Sequence, residues 1–154
     1  MLIFASTIVI RPEPSLMIKK TKSSPRKVVK KSVPKKDDTE ILRDLIIDGM
    51  QEKKAKEIVS IDLRNLNNAV TDFFVICHAD SKAHIDAIAK SVEEFVYKKR
   101  NEEPFHREGK HNSEWILLDY LNVVVHIFRQ EQREYYGIER LWADAEIKKI
   151  ASNY

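Results

Sequence analysis

The side chains best suited to chemistry in this chain are five histidines and a single cysteine. His78 and His84 lie close together, His106 and His111 form a second pair, and His126 sits alone inside Val123-Val124-Val125-His126-Ile127-Phe128. No Cys-x-x-Cys, His-Glu-x-x-His or acidic loop accompanies them, so the spacing offers a metal ion no ligand set, and none is expected. Solvated or core imidazoles are the default, and His126 reads as a half-buried strand residue with a hydrogen-bond partner. Cys77 adjoins His78, but neighbours on a strand point to opposite faces, so that imidazole cannot activate the thiol. A buried, inert Cys77 is the expectation.

Phosphate chemistry calls for a glycine-rich loop, and the three glycines, Gly49, Gly109 and Gly137, are scattered singly. A two-metal transfer site needs paired carboxylates on one strand face, whereas Asp62, Asp72 and Asp119 each stand alone. Catalysis and a cofactor are therefore disfavoured. What remains is a set of large side chains near the C-terminal half: Trp115, Tyr120, Tyr135, Tyr136 and Trp142. Such residues dominate binding hot spots, and they also fill small cores; on sequence alone both readings stand.

The elements that must position these residues begin late in the chain. Residues 1–36 carry ten basic side chains against the single acid Glu13, a charge of +9, so the total of +3 leaves −6 on residues 37–154. The basic segment is Lys-, Ser- and Pro-rich from Lys19 on and has no apolar periodicity, which predicts a disordered extension. Its eight lysines against two arginines depart from the arginine preference of organelle transit peptides, and Met17 offers a second start after the apolar stretch Met1 to Ile10. The remainder, 37–154, is long enough to form one compact domain without disulfides or metal. A lone cysteine fits a reducing, cytoplasmic setting, and no apolar run approaches the roughly 20 residues that cross a bilayer.

Asp37, three residues before Glu40, caps a helix whose apolar residues Ile41, Leu42, Leu45, Ile46 and Met50 repeat at helical spacing, over about 39–54. Ile58 to Leu63 reads as a strand, and the wholly apolar Phe73-Phe74-Val75-Ile76-Cys77 as a central strand covered on both faces. Ser81 caps a second helix with Ile85, Ile88, Ala89, Val92, Phe95 and Val96 on one face, and Pro104 stops it. Phe105 to Arg107 forms a brief strand. Trp115 to Tyr120 and Val123 to Arg129 are strands joined by Leu121-Asn122, a hairpin. Gln130 to Tyr136 is a short helix, Gly137 interrupts it, and Ile138 to Ala151 returns to the chain's end as its continuation. The order αββαβββα predicts a single α/β domain with a mixed sheet of about five strands and helices packed on it.

These same segments resemble one known family. Asp62-Leu63-Arg64, Thr71-Asp72-Phe73-Phe74-Val75-Ile76 and the helix opened by Ser81 are similar to the first half of the Iojap (RsfS) domain. Glu108-Gly109, Glu114-Trp115-Ile116-Leu117-Leu118-Asp119-Tyr120, Val123 to Phe128, Tyr135-Tyr136 and Leu141-Trp142 after Glu139-Arg140 are similar to the second, so the match runs from about residue 40 to 145. The resemblance implies a nucleotidyltransferase-like fold without transferase activity. It also implies a ribosomal silencing factor, bound to protein number fourteen of the large subunit, that blocks joining of the small subunit when nutrients are scarce. Trp115, Leu118, Asp119, Tyr120, Glu139, Leu141 and Trp142 are the expected partner-binding residues. Partly exposed aromatics would supply apolar contact, and Asp119 with Glu139 would meet basic side chains. The basic extension would touch ribosomal RNA phosphates, and self-association is a further expectation, since family members also pair with themselves. The alternative from another class is a nucleotidyltransferase acting on a nucleotide. One departure stands out: the family usually has Gly-Asp where this chain has Leu121-Asn122, and leucine is costly there if φ is positive.

Overall fold

The computed structural model describes residues 36–154. The expected disordered extension therefore lies, except for Lys36, outside the described residues. Helix α1 spans Asp38–Glu52, and the Asp37 carboxylate accepts from the Glu40 N–H at 2.9 Å, satisfying one of the donors that a helix start leaves unpaired. Strand β1 follows at Lys56–Asp62 and β2 at Phe73–Ala79. Helix α2 runs from Lys82 to Arg100; Ser81 caps it through the His84 N–H, and Asn101 ends it in the left-handed conformation at φ 54°. Then come β3 (His106–Glu108), β4 (Trp115–Asp119) and β5 (Val123–Arg129). The chain closes with α3 (Gln130–Tyr136), the single turn α4 (Ile138–Leu141) and β6 (Glu146–Lys149).

The strands form one sheet in the order β3-β4-β5-β2-β1-β6, in which β2 and β5 pair in parallel and every other pair is antiparallel. All seven residues of β2 are buried, as its unbroken apolar run predicts for a strand covered on both sides. One side chain in two goes to each layer. Phe73, Val75, Cys77 and Ala79 join Val123, Val125 and Ile127 beneath α1 and α2. Phe74 and Ile76 join Trp115, Leu117, Val124 and Phe128 on the other face, covered by Ile138, Trp142 and Tyr136 from the C-terminal segment. Both layers are needed to remove so much apolar area from water.

Two expectations are corrected. The sheet has six strands rather than about five, and the segment from Ile138 to Ala151 is not one helix. It makes one helical turn and then pairs antiparallel with β1, Val59 opposite Lys149 and Asp62 opposite Glu146. Its apolar residues, Ile138, Leu141, Trp142, Ile147 and Ile150, keep no helical period beyond the first turn. The outer edge of β1 meanwhile offers a row of backbone groups that another strand can satisfy, and the Ile150 N–H extends that ladder to the Ile58 carbonyl at 2.9 Å.

The two long helices touch through backbone. A Cβ placed on Gly49 would come within 2.8 Å of the Val92 Cα, and the Ser91 hydroxyl donates to the Gly49 carbonyl at 2.8 Å. Because the obstacle is main chain, no rotamer change relieves it. Gly49→Ala is expected to destabilise the domain by about 1–3 kcal/mol, against the better helix propensity of alanine. Urea unfolding tests this, and an unchanged or higher midpoint would mean that the helices separate freely.

Candidate partner-docking surface

Trp115 opens β4, with its ring on the face away from the long helices. There its Nε1–H donates to Nδ1 of His126 at 3.2 Å, which fixes the imidazole proton on Nε2. The indole lies 4.8 Å from the Phe128 ring and 4.6 Å from that of Tyr136, while Phe74 meets His126 edge-on at 4.9 Å and Trp142 at 5.8 Å. Trp115 is 3% exposed and Trp142 is 0% exposed. The expectation of partly exposed aromatics at these positions is thereby corrected: both tryptophans are core, because this second layer has only two short helices to cover it and large rings must fill the space. Leu118 is likewise buried, on the opposite face, and Tyr120 is buried beside it. These four residues can support a surface but do not form one.

The other three candidates fall into two places. Asp119 ends β4 and is half-buried; its Oδ1 accepts from the Leu121 N–H at 2.8 Å, leaving carboxylate toward solvent. Glu139 lies at the far end of the sheet, where it pairs with Arg133 at 2.6 Å. Arg133 in turn donates to the Glu57 carbonyl at 2.7 Å and to Nδ1 of His78 at 2.9 Å. Asp119 sits level with the start of β2, two strands away, and Glu139 near its end, through Arg133 and His78. They therefore do not form one acidic spot, and Glu139 already holds a cation. The exposed Leu141 belongs with Glu139. Glu139 and Arg133 line a cavity of about 510 Å³ with Glu57, Glu134, His78, Arg140 and Lys149, in which three cations face three carboxylates.

At the Asp119 end the structure adds residues that the sequence reading did not choose. Leu121, Phe105 and Val70 are exposed large apolar side chains, 56%, 78% and 40% accessible. The segments of Phe105 and Val70 are tied to the turn that bears Leu121: the Phe105 N–H donates to the Asp119 carbonyl at 2.7 Å, and the hydroxyl of Thr71, next to Val70, to the Leu121 carbonyl at 2.9 Å. The signal available in the sequence was the Leu121-Asn122 turn itself, where an apolar residue occupies a glycine position.

Four of the five histidines take protein partners, His78 and His126 as above. His84 Nε2 lies 2.5 Å from the Lys53 carbonyl and His106 Nε2 lies 2.7 Å from Glu108. Among the described residues no three His, Cys, Asp or Glu side chains gather as a metal site. Cys77 is buried on the face opposite His78, as strand alternation predicts, and burial pushes its thiol up to about 12. Asp62, which a nucleotide-transfer site would need free for a cation, is engaged by Arg64 at 2.7 Å. Burial alone would raise the Asp62 pKa; the Arg64 hydrogen bonds outweigh it and hold the carboxyl below its ordinary value. Among the described residues no helix is long and apolar enough to cross a membrane.

His126 is fully buried, and burial drives its pKa down to about 3; His78 is lowered by burial and then by the adjacent Arg133. A folded state that keeps imidazoles neutral has its full stability above pH 6.5 and loses it as the pH falls from there toward the folded value, by up to about 1.4 kcal/mol per pH unit for each group. Wild type is therefore expected to lose about 2 kcal/mol through His126 between pH 6.5 and pH 5. His126→Phe should lose markedly less over that interval in urea titrations; equal losses would rule out His126 as the source.

Set beside known proteins, residues 36–153 match the family model described as "Ribosomal silencing factor during starvation". The ribosomal silencing factor RsfS of Halalkalibacterium halodurans is 35% identical over 104 residues, covering 68% of this chain and 87% of that protein. A mouse protein named mitochondrial assembly of ribosomal large subunit protein 1 is 28% identical over 115 residues, 71% of this chain and 50% of its own length. A crystal structure of a Chromobacterium violaceum protein superposes with a TM-score of 0.66 at 25% identity, covering 76% of this chain and 97% of that one. The sheet, its two layers and a match across nearly every described residue lead to one conclusion: this chain belongs to the ribosomal silencing factor (RsfS, Iojap) family.

Proposed function

We propose that the domain lowers translation by binding the large ribosomal subunit and standing in the way of the small one, without catalysis. The observation that carries this reading is the acidic domain bearing an exposed apolar turn beside Asp119, on a scaffold whose relatives are named ribosomal silencing factors. Residues 37–154 hold a net charge of −6, which draws the domain toward a basic protein face and away from bare phosphate. Protein number fourteen of the large subunit is the proposed contact, in a setting of nutrient scarcity. Asp119 pairs there with a lysine or arginine, Tyr120 and Leu118 stiffen the strand end behind it, and Trp115 and Trp142 hold the sheet face flat. Glu139 and Leu141 form a second, peripheral contact. Occlusion needs only affinity and position, and calls for no carboxylate pair.

The test is co-sedimentation with purified large subunits, followed by light scattering as small subunits are added. Wild type is expected to pellet with the large subunit and suppress joining, and Asp119→Lys to bind about tenfold more weakly. A folded wild-type protein that ignores large subunits, or stays bound while they join small ones, overturns the proposal.

The +9 extension is proposed to add contacts to ribosomal RNA phosphates. Removing residues 1–36 is then expected to flatten the dependence of ribosome binding on salt. An identical slope with and without the extension would show that it stays off the RNA.

A further inference from the structure

The hairpin between β4 and β5 turns in two residues, and its backbone is strained. The Asn122 N–H donates to the Tyr120 carbonyl at 2.9 Å, across Leu121 at φ 71°. That is the positive-φ γ-turn, rare even where glycine is available and unfavourable for a branched side chain. The turn is nonetheless fixed from all sides. Asp119 accepts from the Leu121 N–H, Thr71 donates to the Leu121 carbonyl, and the N–H groups of Asp72 and Phe73 both donate to the Asn122 carbonyl at 3.0 and 3.1 Å. Strain of this kind persists only where the surroundings over-determine it. Here the strain secures no packing inside the protein, because Leu121 is more than half exposed. An apolar residue held at a conformational cost, and directed at water, is unexplained by the fold.

We propose that Leu121 is the apolar anchor of the partner interface, inserted with Phe105 and Val70 at its sides into an apolar hollow on a basic protein surface. This rests on the reading above that the domain docks on such a surface, and it names the residue that specifies the fit. The supporting geometry is the convergence of three exposed apolar residues on segments hydrogen-bonded to one turn. Asp119 stands beside them and the exposed Glu103 precedes Pro104 and Phe105, so an apolar centre carries an acidic rim on a domain of net −6. Apolar centre and charged rim are the arrangement of a protein interface, and the rim charges select a basic partner. A rigid turn presents its side chain already ordered, which lowers the entropy lost on docking.

The test uses the full chain and purified large subunits. Leu121→Gly and Leu121→Asn both suit positive φ and remove the apolar side chain, whereas Leu121→Met keeps apolar area. The Gly and Asn variants are expected to melt at or above the wild-type temperature yet bind about tenfold more weakly, and Leu121→Met to bind within a factor of about three of wild type. Binding of the Gly and Asn variants equal to wild type overturns the anchor while leaving the docking proposal intact. A wild type that fails to bind overturns both. Loss of binding accompanied by a matching loss of stability assigns Leu121 a structural role and overturns the anchor as well.

Discussion

The parallel pairing of β2 with β5 is the constraint on which the rest of the molecule depends. Seven consecutive residues match, from Phe73 opposite Val123 to Ala79 opposite Arg129, and nearly every side chain along both strands is buried. A parallel pair cannot be closed by a tight turn, so the chain between them must cross over, and α2 does so while covering one face. What remains of that crossover, β3 and β4, returns antiparallel on the far side of β5. The register then fixes the two ends of the sheet where the candidate residues lie. At the start of the pair Phe73 and Asn122 share a hydrogen bond, which brings the hairpin turn against the Thr71–Asp72 segment. At its finish His78 meets Arg133, which carries the balanced cluster with Glu139. A one-residue slip would exchange every side chain between the helical layer and the aromatic layer, leaving His126 under α2 without the Trp115 donor.

Most of this scaffold was readable because local chemistry and tertiary need agree. Asp37 and Ser81 are caps by residue type and are caps in the fold; Phe73 to Cys77 reads as a doubly covered strand and is one. The last strand was not readable, since Glu146-Ile147-Lys148-Lys149 is exposed throughout and has no apolar alternation. What makes it a strand is the open edge of β1, a tertiary fact with no trace in those four residues. The candidate site was legible in part. Asp119 lies beside the exposed turn, but residue type cannot distinguish a tryptophan that meets a partner from one that fills a core: Trp115 packs on Phe128 and Trp142 on Phe74. Nor can chain order reveal that Asp119 and Glu139 lie at opposite ends of a sheet. Leu121 was conspicuous as the wrong residue for a tight turn, and it took the sign of φ and the exposure together to give that misfit a meaning.

Arg64 binds the two halves of the entry to this fold. Its guanidinium pairs with Asp37, Glu40 and Asp62 and lies 4.7 Å from the centre of the Phe73 ring. Since Phe73 also contacts the hairpin turn through Asn122, the first described residues are fastened at the same end of the sheet as Leu121. The start of the acidic domain is thus pinned at the end of the sheet that carries the exposed turn. If, as proposed, the basic extension meets phosphate and the turn meets protein, both contacts set out from one end of a single sheet.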